Sequence, residues 1–359
     1  MSQETVLPGE KIADCQYGTN PWQQGAAHYS LPTDDPLAIH KFQLVEGNVL
    51  SYNNLQDFNA ALNYIAQAAA IFDLNQKHLP AWENGDVPHL GFGIKHKNAC
   101  GGAAGNNTAE VIQKTLMGDP LAILGGILIF NFPITKQEAE TLLFYQTGTN
   151  TSTQKPNRRV IDFIAAPEFS DEAIALLKRK KGKCRLLANP TLAQLSRQTL
   201  DPALLFESIR GGYTTQPNYD LIFDIDDPDM KKYGEFNQLQ LINLLLAIAA
   251  CRASISNTIT LVNDCKIIGN GTGGKARVQV GQLAIKLAND AGQNIKGAIA
   301  VSDSFFPDSD GALALVDAGI AGIFTVFGSI KDKVVKKALL DNNVILWWVH
   351  VSKGRTFKH

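Results

Sequence analysis

Two adjacent side chains, Lys95 and His96, are the pair in this sequence best suited to acid–base chemistry. Histidine exchanges a proton near neutral pH, and a neighbouring ammonium group stabilises negative charge as it develops. The apolar run at 90–94 predicts a buried strand that ends at this pair and leads into a turn over 95–102. Taken alone, the pair is more typical of a surface lysine beside a hydrogen-bonded histidine than of a catalytic site.

The segment 269–274, Gly-Asn-Gly-Thr-Gly-Gly, fits the G-x-G-x-x-G pattern and precedes a predicted helix. Backbone N–H groups at the start of a helix can hold a phosphate. A dinucleotide-binding fingerprint, however, follows the first strand of a parallel β-α-β unit and has an acidic residue about twenty positions downstream. Here the segment follows a predicted hairpin over 258–269, and that acidic residue is missing. We therefore expect a tight turn that requires glycine.

Two further clusters combine aromatic and charged side chains. Residues 302–310 follow a predicted buried strand, and their phenylalanines and carboxylates suit a flat heteroaromatic ligand. The alternative is a helix capped by Asp310, with the phenylalanines in the core. Residues 355–359 end the chain, so they can act only if the last strand holds them in a site.

Composition excludes several classes of protein. Apolar residues make up 45% of the 359 residues and charged residues 19%, which is typical of a globular protein. The net charge is −1, and the basic run at 178–181 is balanced by an acidic run at 224–229, so we expect no nucleic-acid partner. The start of the sequence lacks a secretory signal and the apolar runs are too short for a membrane span, which predicts a cytoplasmic protein. Five cysteines without a C-x-x-C pair argue against disulfides and a thiolate zinc site.

The spacing of apolar residues predicts alternating helices and strands in both halves of the chain, so the expected fold class is α/β. The length exceeds what one core usually supports, which predicts two domains or one pseudo-repeated architecture. The predicted helices are 58–72, a helix from about 108, 136–145, 171–178, 236–253, 278–291, 311–317 and 331–340. The predicted strands are 90–94, 123–130, 160–165, 258–262, 265–269, 298–301, 323–326 and 344–349.

Taken together, the motifs resemble the transformylase domain of the bifunctional purine-biosynthesis enzyme that formylates aminoimidazole carboxamide ribotide (AICAR) and then cyclises the product. They match the family's motifs in order from Tyr17 to the end of the chain. The matching segments are Tyr17-Gly18-Thr19-Asn20-Pro21, 51–57, Lys95-His96-Lys97-Asn98, 118–126, Asp162 with Ala166-Pro167, Ser256-Asn257-Thr258, 269–277, 302–307, 328–332 and Arg355-x-Phe357-x-His359.

The resemblance implies a fold of tandem cytidine-deaminase-like α/β/α domains, which we place at residues 1–200 and 201–359. The family works as a homodimer and has no catalytic zinc. This sequence likewise lacks the H-x-E and P-C-x-x-C motifs of zinc deaminases, so we expect no catalytic metal. Because the match begins within the first twenty residues, we expect the cyclohydrolase domain to be absent and a separate IMP cyclohydrolase to close the ring.

The implied reaction transfers a formyl group from 10-formyltetrahydrofolate, as co-substrate, to the 5-amino group of AICAR in de novo purine (IMP) biosynthesis. The resemblance assigns catalysis to Lys95, His96 and Asn257. The residues expected to contact the ribotide are Tyr17, Asn54, Gly125, Asp162, Arg277, Arg355 and Phe357. The residues expected to contact the folate are Phe305, Phe306, Pro307, Asp310 and Ser329.

Three positions depart from the family pattern. Gln16 stands where the family has an arginine that helps to bind the ribotide, Ala99 replaces a usual proline, and Asp308 replaces an aromatic or apolar residue. Two alternatives therefore stay open. One is a formyltransferase that acts on another amino-heterocycle or nucleoside, for which Gln16 is the main reason. The other is a non-catalytic folate- or nucleotide-binding relative, against which the retained Lys95 and His96 speak, because a sensor needs no proton-transfer pair.

Overall fold

The dominant feature is a single twelve-stranded mixed sheet with helices on both faces, which confirms the predicted α/β class. The structure, a computed structural model, describes residues 9–82, 85–149, 154 and 156–358. Its strands are β1 (Glu10–Asp14), β2 (Ala27–Ser30), β3 (Gln43–Glu46), β4 (His89–Lys95), β5 (Asn98–Gly105), β6 (Ile127–Phe130), β7 (Phe163–Ala166), β8 (Arg185–Ala188), β9 (Leu205–Ile209), β10 (Gly212–Gln216), β11 (Lys231–Tyr233), β12 (Ile259–Asn263), β13 (Lys266–Gly271), β14 (Ile299–Ser302), β15 (Gly322–Phe327) and β16 (Ile345–His350).

The helices lie between these strands. They are α1 (Tyr52–Leu74), α2 (Thr108–Leu116), α3 (Lys136–Phe144), α4 (Asp171–Leu177), α5 (Gln238–Ala253), α6 (Arg277–Asp290), α7 (Ser309–Asp317), α8 (Asp332–Asp341) and α9 (Val351–Gly354). Within the described part of the chain, no helix is both long and apolar enough to cross a bilayer.

The order of elements in the first half repeats in the second half. From β3 to β8, an edge strand is followed by a long helix, an antiparallel hairpin, a helix, and then three parallel strands joined by two helices. From β11 to β16, the same sequence of elements recurs. The two halves meet where β13 pairs antiparallel with β5, so the strand order is β11-β16-β15-β14-β12-β13-β5-β4-β6-β7-β8-β3. The cytidine-deaminase-like assignment and the boundary at residue 200 stay predictions.

The core has three apolar clusters, of which one spans both halves and the other two belong to one half each. One face of the sheet is covered by α1 and α5, which pack against each other and share one cluster across both halves. On the other face, α2, α3 and α4 cover the first half, and α6, α7 and α8 cover the second. A helix packed between the sheet and other elements is apolar all round, which fits the nearly continuous apolar sequence of α5. The two long helices therefore join the halves into one core.

Several local predictions differ from the structure. The predicted turn over 95–102 contains the strand β5, so Lys95 and His96 lie at a hairpin turn and not at the free end of a strand. The first forty residues, where no helix or strand was predicted, contain the antiparallel pair β1–β2. The helix α7 is capped by Asp308, whose carboxylate accepts a hydrogen bond from the Ser309 N–H, and not by Asp310. The strand expected from residue 123 begins at Ile127, after a turn.

Candidate active site

The catalytic pair predicted from the sequence belongs to a two-residue hairpin turn between β4 and β5. Lys95 pairs with Asn98 across the hairpin, and His96 and Lys97 occupy its two central positions with φ of 51° and 64°. A type I′ turn requires positive φ at both central residues, and this geometry matches the twist of the strands. Side chains other than glycine resist it by about 1–2 kcal/mol per residue. Something outside the hairpin must therefore support the turn.

Asp57 on α1 supplies that support. Its carboxylate accepts hydrogen bonds from the backbone N–H of His96 at 3.3 Å and of Lys97 at 2.8 Å. An ionised acceptor makes stronger hydrogen bonds than a neutral one, so these contacts favour the turn over its alternatives. Asp57 belongs to a matching motif of the family, at 51–57, but had no predicted role. Nothing in its local spacing marks it as a partner of the turn.

Lys95 connects the turn to two predicted ribotide residues. Its Nζ donates a hydrogen bond to the Leu124 carbonyl oxygen at 2.9 Å. The next residue, Gly125, has φ of 74°, and a Cβ there would lie 3.4 Å from the Asp162 carboxylate. Asp162 in turn forms an ion pair with Arg179. The structure thus places Lys95 against the residue before Gly125, and Gly125 next to Asp162.

A cavity of about 180 Å³ lies beside the turn, at the junction of the two halves. Lys95, His96 and Asn98 line it from the first half, and Gly269 and Asn270 line it from the second. This junction explains the glycine pattern without a dinucleotide. A Cβ on Gly269 would overlap a carbonyl oxygen of α6, so glycine lets the helix pack closely on β13. The predicted tight turn is wrong at that position, because Gly269 belongs to a strand.

Hydrogen bonds across the junction fix the position of the cavity wall. The Asn98 side-chain oxygen accepts from the Ile255 N–H at 3.2 Å, and the Asn270 amide donates to the Ala99 carbonyl at 3.2 Å. The Tyr64 hydroxyl lies 2.7 Å from the Ser254 hydroxyl and accepts from the Ala99 N–H at 3.1 Å. Burial raises the pKa of the Tyr64 phenol well above its usual range, so this group acts as a neutral hydrogen-bonding link.

The third predicted catalytic residue, Asn257, is half-buried and belongs to a polar network with the buried Arg277. Its amide nitrogen donates to the carbonyl oxygens of Gly274 at 2.8 Å and Lys275 at 3.3 Å, and its side-chain oxygen accepts from Arg277 at 2.6 Å. Arg277 is buried and forms an ion pair with Asp303, whose side chain is only 1% exposed. The guanidinium of Arg277 thus positions Asn257 in this structure. The assignment of Arg277 to the ribotide stays a prediction.

The end of the chain is held next to Asn257. The Ser256 N–H donates to the Lys358 carbonyl oxygen at 2.8 Å, and the Thr356 N–H donates to the Asp303 carbonyl oxygen at 3.1 Å. The guanidinium of Arg355 lies over the Phe357 ring at 5.0 Å. The tail is therefore held in place beside Asn257, which a contribution to the site requires. His359, which also belongs to the matching motif, lies outside the described residues.

The predicted folate residues follow β14 and β15, which are parallel neighbours, so their loops lie at the same edge of the sheet. An ion pair of 2.7 Å between Lys331 and Asp308 joins the two loops. Phe306 is buried in the core, whereas Phe305 is half-buried. The remaining predicted folate residues are exposed or half-buried, and they are Pro307, Asp310 and Ser329.

The two remaining ribotide predictions lie near the start of α1. Asn54 forms a capping box with Ser51, so its side chain has a local structural partner. Tyr17 is half-buried in the loop after β1, and that loop is tied to α1 by a hydrogen bond of 3.2 Å from the Asn53 amide to the Thr19 carbonyl. Among the residues that the structure describes, no three His, Cys, Asp or Glu side chains form a group that could hold a metal ion. The residues of the predicted site, and the expectation of no catalytic metal, stay predictions.

Comparison with known proteins places this arrangement in a family. A model of the AICARFT/IMPCHase bienzyme family matches residues 1–287. The bifunctional purine biosynthesis protein PurH of Anoxybacillus flavithermus is 32% identical over 325 residues, which cover 90% of this chain and 55% of that protein. PurH of Nostoc punctiforme is 30% identical over 345 residues, which cover 96% of this chain and 59% of that protein.

The chain spans less than two thirds of the length of these relatives. The family model covers well over half of the chain and includes the turn of Lys95 and His96, the segment of Asn257, and Arg277. The chain belongs to the AICARFT/IMPCHase bienzyme family.

Proposed function

We propose that this chain acts in purine biosynthesis by transferring a formyl group from 10-formyltetrahydrofolate to the 5-amino group of AICAR. Membership of the AICARFT/IMPCHase bienzyme family and the names of its PurH relatives support the pathway. The observation that carries the formyl-transfer step is the position of Lys95 and His96. They lie on a supported turn that faces a cavity lined by both halves of the fold.

The reaction sets three requirements on the site. The aromatic amine attacks the formyl carbon, a carbon–nitrogen bond forms, and the carbonyl oxygen becomes a tetrahedral oxyanion. The oxyanion then collapses, the bond from carbon to folate N10 breaks, and the product and tetrahydrofolate separate. The amine must lose a proton, the oxyanion must be stabilised, and N10 must gain a proton.

His96 meets the first requirement. Its backbone N–H and carbonyl oxygen are engaged by Asp57 and Asn98, whereas its ring is exposed and makes no hydrogen bond within the described part of the chain. The ring is therefore available to take a proton from the attacking amine. The fixed backbone limits the positions that the ring can reach, which favours an attack geometry set before the substrate arrives.

Lys95 meets the second and third requirements. An ammonium group carries three donors, and one of them is used by the Leu124 carbonyl oxygen. Two donors remain to face the oxyanion and N10. The same contact holds the ammonium at the residue before Gly125, where the ribotide is proposed to bind.

Asn257 contributes orientation. Both hydrogens of its amide face backbone carbonyl oxygens, and one acceptor position of its side-chain oxygen is used by Arg277. The remaining acceptor position suits an N–H of the substrate amine and cannot donate to the formyl oxygen. We therefore assign Asn257 to the amine. The folate is proposed to lie across the loops after β14 and β15, on Phe305, Pro307, Asp310 and Ser329, with Phe306 supporting them from the core.

The test is to mix the purified protein with AICAR and 10-formyltetrahydrofolate and to follow tetrahydrofolate release optically. We expect release by the wild type and a fall in rate of about 10²–10⁴-fold for His96→Ala. Lys95→Met should show a similar loss, whereas Lys136→Met, which removes an exposed lysine from α3, should leave the rate unchanged. Full activity of His96→Ala would overturn the assigned role.

Two other outcomes separate the alternatives. Tetrahydrofolate release with the unphosphorylated nucleoside and not with AICAR would indicate a different amine substrate. Gln16, which is exposed in the structure, would then be the first residue to replace. Folate binding without release from any amine would indicate a binding protein.

We also propose that the protein is a homodimer, as the resemblance to the family implies. The β9–β10 hairpin presents the exposed apolar side chains Phe206, Ile209 and Tyr213, and sedimentation of the wild type would test the assembly.

A further inference from the structure

A second cavity, of about 300 Å³, lies on one face of the long helix α1. Its other walls are β2, the loop at 31–40, and the segments 199–203 and 218–219. None of its lining residues lines the cavity of about 180 Å³ at the candidate active site. A volume of 300 Å³ is at the lower end of the range for ligand pockets, so this second cavity suits a small molecule.

Two carboxylates line this second cavity, and neither forms an ion pair within the described part of the chain. Asp35 Oδ1 accepts a hydrogen bond from the Leu37 N–H at 2.9 Å, and Asp201 Oδ1 accepts one from the Ala203 N–H at 2.9 Å. The other oxygen of each carboxylate has no donor among the residues that the structure describes. No described lysine or arginine lines the cavity. The walls therefore carry negative charge without a matching cation.

The buried amide of Gln67 adds a further acceptor. Gln67 lies on α1 and is 7% exposed, and its side-chain nitrogen donates to the Tyr219 carbonyl oxygen. Its side-chain oxygen has no hydrogen-bond donor within the described residues, and this oxygen is accessible from the cavity that Gln67 lines. Buried polar groups are normally hydrogen-bonded. The free oxygen of Gln67 therefore favours a ligand that brings N–H donors.

The electrostatics of the cavity also favour a cation. Burial raises the pKa of the Asp35 carboxyl, and the charge of Asp201 acts in the same direction. A backbone hydrogen bond and the charges of Lys41 and His40 offset only part of this effect. Burial, and then the charge of His40, lower the pKa of His28, so this imidazole is neutral at neutral pH. A bound cation would favour the ionised form of Asp35 and reduce its repulsion with Asp201.

We propose that this second cavity binds a small organic cation whose primary ammonium group donates to Asp35, Asp201 and Gln67. An ammonium group carries three N–H donors, which match the three acceptors. Apolar side chains complete the lining and suit the methylene groups of an alkyl amine, and they include Leu37, Leu62 and Leu200. The inference goes beyond the proposed function and does not depend on it, because the two cavities have no lining residue in common.

The experiment measures the binding of 1,4-diaminobutane to the protein by titration calorimetry, with 1,4-butanediol as the uncharged match. We expect the wild type to bind the diamine and not the diol. Asp35→Asn and Asp201→Asn should each weaken diamine binding by about tenfold or more. Asparagine keeps the side-chain oxygen that accepts from the backbone N–H, so each variant should keep the local turn. The matched control is Asp34→Asn, which removes an exposed neighbouring carboxylate that does not line the cavity and should bind as the wild type does.

A second ligand pair separates hydrogen bonding from attraction between charges alone. The analogue of 1,4-diaminobutane with both nitrogens fully methylated has the same charge but no N–H donor. We expect it to bind at least about tenfold more weakly than the diamine, because the free oxygens of Asp35, Asp201 and Gln67 then receive no hydrogen bond. Equal binding of the two ligands would overturn the site as proposed.

The remaining outcomes are equally decisive. An absence of diamine binding by the wild type at millimolar concentration, or unchanged binding by both Asp35→Asn and Asp201→Asn, would overturn the proposal. Sedimentation of the same variants tests whether a lysine of a second copy supplies the ammonium group. Weaker self-association of both variants, without diamine binding by the wild type, would assign the carboxylates to such a contact and overturn the small-molecule site. Diamine binding that both carboxylates control would support the site even if no tetrahydrofolate is released.

Discussion

The buried ion pair between Arg277 and Asp303 should dominate the stability of the second half of the site. Both side chains are removed from water, at 5% and 1% exposure. Arg277 also donates to the Ser302 hydroxyl at 2.8 Å, and Asp303 accepts from the Ser256 hydroxyl at 2.6 Å. Replacing Asp303 by Asn keeps the shape of the side chain and removes its charge, which leaves a buried guanidinium without compensation.

Breaking a buried pair by removing one partner costs about 3–5 kcal/mol, so we expect Asp303→Asn to lower the free energy of unfolding by that amount. Arg277→Met should cost a similar amount, because it leaves the carboxylate unpaired. The double variant should be destabilised by at least about 2 kcal/mol less than the sum of the two single variants, since residues of one network are not additive. The assay is urea denaturation followed by tryptophan fluorescence.

The matched control is on the same helix as Arg277. Lys286 and Asp290 form an ion pair one turn apart on α6, with both side chains more than half exposed. Such a pair contributes about 0.3–0.5 kcal/mol, so Asp290→Asn should barely move the urea midpoint. A cost below about 1 kcal/mol for Asp303→Asn, or strict additivity in the double variant, would refute the assignment of this pair as the support of Asn257.

Two further predictions concern the turn and the tail. Asp57→Ala removes the acceptor of the His96 and Lys97 N–H groups, so the rate of formyl transfer should fall. The urea midpoint should fall only modestly. Equal rates of formyl transfer in Asp57→Ala and wild type would contradict the role of this carboxylate. Lys358 has a pKa of about 8 when folded and 10.5 as its ordinary value, so the unfolded chain binds more protons between these values. The charged side chain therefore destabilises the folded state less as the pH rises through this window. The difference in the free energy of unfolding between Lys358→Met and wild type should narrow from pH 8 to pH 10 in urea titrations.

Local patterns were sufficient for many elements. The alternation of helices and strands, and the position of the long helix α5, follow from apolar spacing, which acts within a few residues. The hairpin of β12 and β13 was predicted, although its turn lies at Asp264 and Cys265, which both have positive φ, and Asn263 belongs to the strand. The order of motifs along the chain likewise pointed to the family that the comparisons show.

The equivalent hairpin in the first half could not be predicted in this way. His96 and Lys97 are not turn formers, so the sequence from 95 to 102 carried no hairpin signal and β5 was missed. Their positive φ is supported by Asp57, which is 39 residues away from His96 and reaches it only after α1 packs on the sheet. The same holds for the Arg277–Asp303 pair, whose members are 26 residues apart. Residue types and their order along the chain indicated the chemistry, whereas contacts between distant segments decided the geometry, because only packing brings such partners together.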